Sequence, residues 1–282
     1  MTAVPEVLLN NGERIPQLGF GVFQVKPAET AAAVTAALEA GYRHVDTAQM
    51  YRNEAGVGQA VAQSGLDRAE VFLTTKLHND AHRPDDAHRA FDQSLAALGT
   101  DYVDLFLIHW PLPGRYEGDF WSTWHALEEL YREGRARSIG VSNFQVSHLR
   151  RLMVEAQVPP AVNQVEVSPF LTQAELRQFC HQDEIAVQAY SPLARGRALG
   201  DPAVVAIARR LGATPAQVIV RWHVERGDIP LPKSVNPHRI KENIVALALE
   251  LSPEDVAAIT ALNRDERTGF DPDEFDGRPP RR

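Results

Sequence analysis

The chain has 282 residues, 44% of them apolar and 23% charged, which is enough apolar material for the core of a globular protein. Its 29 Lys and Arg residues against 37 Asp and Glu residues give a formal net charge of −8, which argues against a nucleic-acid-binding surface of pooled basic residues. No apolar run reaches the ~20 residues needed to cross a membrane, and MTAVPEVLLNNG lacks the features of a secretory signal, so we expect a cytoplasmic protein. The single cysteine, Cys180, cannot form an internal disulfide and is predicted to be a buried, unreactive thiol.

The first predicted element is a β-hairpin. In VLLNNGERI an Asn-Gly pair separates two short apolar runs, and this pair favours tight hairpin turns because both residues tolerate positive φ. We expect the hairpin to precede a barrel and to close its bottom.

The main pattern is an alternation of short apolar runs with longer segments of helical period, which is typical of βαβ units and a parallel sheet. The chain therefore predicts an α/β fold, a (β/α)8 TIM barrel, as one domain over residues 1–282, because such a barrel needs about 250 residues. The predicted strands centre on 19–23, 43–46, 71–76, 103–109, 138–142, 161–166, 185–190 and 229–233. The predicted helices lie near 28–40, 53–64, 84–98, 121–133, 145–156, 173–183, 202–211, 215–226, 237–247 and 253–262.

The C-terminal segment, TGFDPDEFDGRPPRR, is too rich in Pro, Gly and charge to continue a helix. We expect it to form a tail over the mouth of the barrel, where Phe270 or Phe275 would cover the site. DPDEFDG faintly resembles a calcium loop, but the spacing of its acidic residues misses the alternate-position ligand pattern, so no calcium site is predicted.

Four polar residues follow or end predicted strands: Asp46, Tyr51, Lys76 and His109. The carboxyl ends of parallel barrel strands meet at one mouth, so these side chains should converge there. A phenol has a pKa near 10 and is a poor acid at neutral pH unless its phenolate is stabilised. We expect Lys76 to lower the pKa of Tyr51, and Asp46 to keep the buried Lys76 protonated.

In this scheme His109 would hydrogen-bond a substrate carbonyl. The structural alternative is a core ion pair of Asp46 and Lys76, an aromatic side chain at the rim, and a satisfied core histidine. These residues carry no hydride, so carbonyl reduction would require a cofactor that does. GFGVF at 19–23 has only the first two glycines of GxGxxG, which disfavours a separate dinucleotide-binding domain.

Three segments carry a family resemblance: GYRHVDTAQMYRNEAGVG at 41–58, SIGVSNF at 138–144 and LPKSVNPHRIKENI at 231–244 resemble the three signatures of the aldo-keto reductases. The resemblance covers nearly the whole chain, and within the family the chain looks most like bacterial 2,5-diketo-D-gluconate reductases. It implies NADPH (NADP+) held across the barrel mouth. The implied reaction is NADPH-dependent reduction of an aldehyde or ketone, such as a sugar-derived diketo acid or another dicarbonyl, with Tyr51 as general acid.

The resemblance also implies a set of cofactor-binding residues. Ser142, Asn143 and Gln164 would bind the nicotinamide carboxamide, and Tyr190 would stack on its ring. Lys233, Ser234 and Arg239 would surround the adenosine 2′-phosphate, where Arg can engage two oxygens and Lys acts as a point charge. The other implied cofactor residues are Gly21, Val22, Asp46, Ser191, Leu193, Val235, Glu242 and Asn243. The alternative for residues 231–244 is an ordinary charged helical face.

The substrate pocket is the part that the resemblance fixes least. The chain has His78 where that group carries Trp, and Ser168-Pro169 where it carries His-Pro, and both positions are expected near the mouth. The predicted pocket residues are Phe23, Met50, Tyr51, His78, His109 and Trp110.

Other functions are less favoured by the sequence. His78 and His82 are four residues apart, as two metal ligands on a helix would be, but Asn79-Asp80 and Pro84 disfavour a helix there, so no metal is predicted. The remaining alternatives are an NADPH-binding regulatory subunit with little turnover and a metal-dependent barrel hydrolase. We expect a monomer that binds a small carbonyl compound and neither nucleic acid nor membrane.

Overall fold

The predicted hairpin opens the structure, a computed structural model that describes residues 4–277. Strand β1 (Glu6–Leu8) pairs antiparallel with β2 (Arg14–Pro16). Gly12 in the turn has a φ of 90°, in the left-handed region that glycine adopts most readily. Ile15 is fully buried in an apolar cluster with residues from the lower ends of the barrel strands, so the hairpin closes the barrel floor as predicted.

Eight further strands form one parallel sheet in which each pairs with the next along the chain. They are β3 (Phe20–Gly21), β4 (His44–Asp46), β5 (Phe72–Leu77), β6 (Leu105–Ile108), β7 (Ile139–Ser142), β8 (Val162–Glu166), β9 (Ala186–Tyr190) and β10 (Ile229–Pro230). All eight predicted strands are confirmed. Two backbone bonds close the barrel between its first and last strands, from Gly19 N to the Pro230 carbonyl (3.1 Å) and from Gly21 N to the Pro232 carbonyl (3.2 Å).

The first glycine of GFG lies at this closing seam. A Cβ atom on Gly19 would lie 2.5 Å from Leu231 Cδ2 and 2.6 Å from His44 Nδ1, distances that a side chain cannot accept without displacing its neighbours. Gly19 and Gly21 therefore serve barrel closure, and the absence of GxGxxG is explained by the architecture.

Helices surround the barrel, and within residues 4–277 all of the predicted ones are present. They are α1 (Pro27–Ala40), α2 (Glu54–Gln63), α3 (Pro84–Leu98), α4 (Trp121–Arg132), α5 (Val146–Glu155), α6 (Ala174–Gln182), α7 (Pro202–Leu211), α8 (Pro215–Glu225), α9 (Pro237–Val245) and α10 (Pro253–Thr260). Thr214 accepts a hydrogen bond from Gln217 N (3.3 Å) and so caps α8, as its position before Pro215 indicates. Over the described residues no single helix is long and apolar enough to cross a membrane; only α7 and α8, bent by 94°, reach that length together.

The tail crosses the barrel mouth as predicted. Residues 263–277 contain no helix or strand, and Arg264 N and Glu266 N both donate to the Phe170 carbonyl (3.2 and 3.0 Å). Phe275 is buried, with its ring centroid 4.4 Å from that of Trp110, and Phe270 stacks on Phe275 at 4.6 Å. Both candidate phenylalanines therefore lie over the mouth: Phe275 packs against Trp110, and Phe270 packs against Phe275.

Candidate active site

Three strand ends bring the four predicted polar residues together. Asp46 ends β4, Lys76 is the second-last residue of β5, and His109 follows β6 directly. Tyr51 ends a single 3₁₀ turn, Gln49–Tyr51, that follows β4. All four side chains face the mouth side of the barrel, although they are spread over 64 positions of sequence, from 46 to 109.

Lys76 is the centre of the group. Its ammonium is fully buried and donates to Asp46 Oδ1 (2.7 Å), to the Thr47 carbonyl (2.8 Å) and to the Tyr51 hydroxyl (3.4 Å). Burial lowers the pKa of Lys76, while the Asp46 carboxylate opposes that effect. Because all three ammonium hydrogens have acceptors, the charge can be kept in the interior.

Tyr51 differs from the prediction in one respect. Burial raises its pKa well above the usual value, and the negative charge of Asp46 raises it further. The net shift of the Tyr51 pKa in the free protein is therefore upward, opposite to the lowered pKa that was expected, because desolvation of the phenol and the Asp46 charge dominate. The hydroxyl remains protonated across the neutral range.

His109 is a neutral side chain next to this group. Burial lowers its pKa well below 6.5, and the positive charge of Lys76 adds to the effect. Its ring meets the Tyr51 ring edge to face, with centroids 5.7 Å apart, and its backbone carbonyl accepts from Asn143 Nδ2 (2.9 Å). A neutral imidazole keeps one N–H donor, which is what a carbonyl oxygen requires.

The residues implied for the carboxamide form a network connected to these four. Ser142 Oγ donates to the Gln164 carbonyl (2.8 Å), and Asn143 Nδ2 donates to Ser142 Oγ (3.1 Å). The Tyr190 hydroxyl donates to Asn143 Oδ1 (2.8 Å), and Gln164 Nε2 donates to Asp46 Oδ2 (2.7 Å). Both oxygens of Asp46 are thus engaged, one by Lys76 and one by Gln164.

The residues implied for the adenosine end lie at the start of α9. Lys233 and Arg239 are exposed, Ser234 is buried, and Asn236 caps the helix by accepting from His238 N (2.9 Å). Two cations beside a capped helix N-terminus suit a phosphate group by charge and by the direction of the helix dipole. Of the remaining members of this end, Val235 is exposed just before α9, whereas Glu242, partly exposed, and Asn243, buried, lie in the second half of the helix.

The other implied cofactor residues differ in exposure and in whether their backbone N–H groups are free to bind a cofactor. Ser191 and Leu193 are partly exposed directly after β9, and Ser191 has a positive φ of 48°. Gly21 and Val22 use their N–H groups inside the protein, Gly21 toward the Pro232 carbonyl and Val22 toward the Asp46 carbonyl. Neither can donate that N–H to a cofactor.

The predicted pocket residues line the mouth around Tyr51. Phe23 is 47% exposed, with its ring 5.0 Å from that of Tyr51, and Met50, His78 and Trp110 are partly exposed. Ser168, the other position expected near the mouth, has no exposed surface and accepts from Phe170 N (3.3 Å) in the turn after β8. Its effect on the shape of the pocket stays a prediction.

The described residues include no group of three or more His, Cys, Asp or Glu side chains placed to hold a metal ion. His82, one of the two histidines at metal-ligand spacing, is buried and stacks on Tyr116 with centroids 5.1 Å apart.

Cys180 is a buried free thiol, and burial raises its pKa to about 12, which confirms the prediction of an unreactive cysteine.

Two residues of this region were missed in the sequence. Glu166, the buried last residue of β8, accepts from Thr268 N (2.7 Å) and Thr268 Oγ1 (2.6 Å) through Oε1, and from Gly269 N (2.9 Å) through Oε2. Gln188, in the middle of β9, accepts from Gln164 Nε2 (2.8 Å). The signal in both cases was a polar residue within an apolar strand, VNQVE and AVQAY.

The amino-acid sequence matches one protein family over most of its length. Residues 17–264 match the model of the Aldo/keto reductase family. The chain is 46% identical over 270 residues to glyoxal reductase of Bacillus subtilis (strain 168), covering 95% of this chain and 96% of the relative. It is 44% identical over 278 residues to methylglyoxal reductase DkgA of Yersinia pestis, covering 98% and 99%.

Solved structures agree with the sequence relatives. Gox0644, crystallised as a mutant in complex with NADPH, superposes with a TM-score of 0.93 at 42% identity, covering 97% of this chain and 99% of that chain. The Bombyx mori aldo-keto reductase in complex with NADP gives a TM-score of 0.89 at 38% identity, covering 95% of each chain.

Proposed function

The chain belongs to the aldo/keto reductase family, and from this premise we propose that it is an NADPH-dependent reductase of aldehydes or ketones with Tyr51 as general acid. The relatives named glyoxal reductase and methylglyoxal reductase make small dicarbonyls the first substrate class to test. One observation carries the proposal: the buried Lys76 ammonium lies between Asp46 Oδ1 (2.7 Å) and the Tyr51 hydroxyl (3.4 Å).

The raised pKa of Tyr51 suits this role in a different way from the one first expected. A phenol that stays protonated has a proton to give at every neutral pH. The Lys76 ammonium would exert its effect as negative charge develops on the phenol oxygen, because a fixed donor in a buried site stabilises charge that appears during the reaction. Asp46 would keep Lys76 charged for that purpose.

His109 would hold the substrate oxygen. Its ring lies edge to face with Tyr51, so a donor N–H on His109 and the Tyr51 hydroxyl can both face one carbonyl oxygen. Bound NADPH would supply the hydride that adds to the carbonyl carbon. The proton that completes the alcohol would come from the Tyr51 hydroxyl.

The residues available for the cofactor match its chemistry at both ends. Gln164 and Asn143 offer amide groups for the carboxamide, and the Tyr190 ring offers an aromatic face. Lys233 and Arg239 offer cations beside the start of α9 for the 2′-phosphate. The donor set thus favours NADPH over NADH.

Replacing the proton donor tests the proposal. Tyr51→Phe is expected to bind NADPH with unchanged affinity, measured by quenching of protein fluorescence, because the ring and its packing remain. Its kcat for methylglyoxal is expected to fall by a factor of about 10²–10⁴, the usual contribution of a positioned general acid. Tyr131→Phe, a change on the partly buried face of α4, serves as a control with wild-type turnover. Undiminished NADPH oxidation by Tyr51→Phe would refute the assignment.

A substrate screen defines the class. NADPH oxidation by the wild-type protein is measured with glyoxal, methylglyoxal, sugar-derived diketones, aromatic aldehydes and simple ketones. Preference for dicarbonyls is expected from the named relatives. NADPH binding without turnover on any of these compounds would instead favour a regulatory subunit.

A further inference from the structure

A row of buried polar side chains descends from the catalytic group into the barrel. Gln164 Nε2 contacts Asp46 Oδ2 (2.7 Å) and Gln188 Oε1 (2.8 Å). Gln188 Nε2 contacts His44 Nε2 (3.4 Å), and the same His44 nitrogen contacts Thr74 Oγ1 (3.1 Å). The row is continuous, and Gln188 and His44 are both 0% exposed, so their polar atoms are shielded from bulk solvent.

The lower end of the row has a defined protonation state. Burial lowers the pKa of His44 to about 3, so its imidazole is neutral at physiological pH. The Pro16 carbonyl of the hairpin lies near enough to raise that pKa slightly, although Nδ1 makes no well-formed hydrogen bond. Nδ1 has no hydrogen-bond partner among the described residues, so Nε2 is the ring nitrogen that joins the row, toward Gln188 Nε2 and Thr74 Oγ1.

The upper end fixes the direction of the hydrogen bonds. The Asp46 carboxylate can only accept, so the nitrogen of Gln164 must face it. The same nitrogen donates its second hydrogen to Gln188, which must therefore present its oxygen to Gln164 and its nitrogen to His44. Turning either amide over would bring two acceptors or two donors together in a buried site, which is costly.

This arrangement leaves one free group on the Gln164 amide. Both of its hydrogens are used, by Asp46 and by Gln188, so only Oε1 remains to meet a ligand. An oxygen acceptor there pairs with the amino side of a carboxamide and rejects its carbonyl side.

We propose that Gln188 is a positioning residue that holds the Gln164 amide in the orientation that selects one rotamer of the nicotinamide carboxamide. This role rests on the proposed function, in which Gln164 contacts that carboxamide. Gln188 lies opposite Gln164 in the β8–β9 register, and Tyr190 follows two residues later on the same strand. A carboxamide anchored at Gln164 holds the edge of the ring that carries it in one place, so the same ring face stays turned toward the carbonyl substrate.

The test compares a ligand that has the nicotinamide with one that lacks it. Dissociation constants for NADPH and for 2′,5′-ADP are measured by calorimetry on wild type and on Gln188→Leu, which removes the acceptor for Gln164. The expected result is an NADPH Kd raised about tenfold, the loss of roughly one buried hydrogen bond, with the 2′,5′-ADP Kd unchanged within twofold. Gln188→Leu should also transfer both hydrogens of stereospecifically deuterated NADPH, where wild type transfers one.

Two further variants control for packing. Thr74→Val removes a hydroxyl from the same row at nearly constant volume while leaving Gln188 in place, and both Kd values should stay at the wild-type level. Gln188→Glu keeps an oxygen acceptor toward Gln164, with the His44 proton moved to Nε2, so its NADPH Kd should stay within threefold of wild type. It also supplies the test if Gln188→Leu does not fold, since a strict packing role predicts similar losses for NADPH and 2′,5′-ADP.

The outcomes separate the two proposals. Equal weakening of NADPH and 2′,5′-ADP in the Gln188 variants, or wild-type binding of both with unchanged stereospecificity in Gln188→Leu, would overturn the positioning role. Failure of the wild-type protein to bind NADPH would instead overturn the proposed function.

Discussion

His44 makes the stability of the barrel depend on pH in a way that one substitution should remove. Its pKa is about 3 in the folded protein and about 6.5 in an unfolded chain. Because the folded pKa is the lower of the two, the unfolded chain binds the proton first as the solution is acidified. The stability present above pH 6.5 is therefore lost progressively as the pH falls from about 6.5 toward 3.

The size of the effect follows from these two pKa values. Between pH 7 and pH 5 this position in the unfolded chain goes from about one quarter protonated to almost fully protonated while the folded protein gains almost no proton, which corresponds to about 2 kcal/mol. Over the whole interval the limit is about 5 kcal/mol, at 1.36 kcal/mol for each unit of pKa difference. Such a loss is a large part of the stability of an ordinary domain.

The free energy of unfolding is measured by urea titration at pH 7 and pH 5 for wild type, His44→Gln and the control His181→Gln. Wild type and the control, whose substituted histidine is exposed on α6, should lose about 2 kcal/mol more than His44→Gln on acidification. A loss of stability that the His44→Gln substitution causes equally at both pH values cancels, because for each protein the free energy of unfolding at pH 5 is compared with that at pH 7. An equal loss in all three proteins would show that the interior histidine accepts a proton without penalty, contrary to the row of hydrogen bonds described above.

Three further substitutions probe separate parts of the molecule. Arg239→Ala is expected to weaken NADPH binding by about tenfold or more and NADH binding little, because only NADPH has the 2′-phosphate; equal losses in a fluorescence titration would remove the case for that site. Gly19→Ala is expected to lower the free energy of unfolding by about 1–3 kcal/mol, since its Cβ would lie 2.5 Å from Leu231, and an unchanged urea midpoint would contradict this. Glu166→Ala is expected to speed hydrogen exchange at the two tail amides that it accepts from and to raise KM with kcat less affected, while unchanged exchange would show that the tail is held elsewhere.

The sequence predicts the secondary structure of this chain well because its local signals agree with the tertiary fold. Most barrel strands are short runs buried on both faces, and several helices begin with a capping residue followed by proline, as at Thr214-Pro215. Asp46, Lys76 and His109 could be placed together in advance because parallel strands put their carboxyl ends on one side. That inference needs only the strand ends and no knowledge of side-chain packing.

The remaining features depend on contacts between distant segments. The direction of the Tyr51 pKa shift follows from desolvation of the phenol and from the nearby negative charge of Asp46, and both depend on how the folded protein buries the hydroxyl. The contact of Gln188 with His44 spans 144 positions, and neither residue type indicates its partner. The family resemblance draws attention to Ser168, but its full burial in the turn after β8 depends on contacts that the local sequence does not show.

The way in which the tail is fastened separates two properties of the protein. Its hydrogen bonds to Glu166 are made at the end of β8, whereas Tyr51, the proposed proton donor, and its partners lie on and after β4, β5 and β6. A different terminal segment that kept the Thr-Gly step could thus reshape the entrance while the acid and its lysine stayed in register. Evolution or laboratory grafting can therefore exchange selectivity as a module, at one side of the barrel, without rebuilding the chemistry on the other.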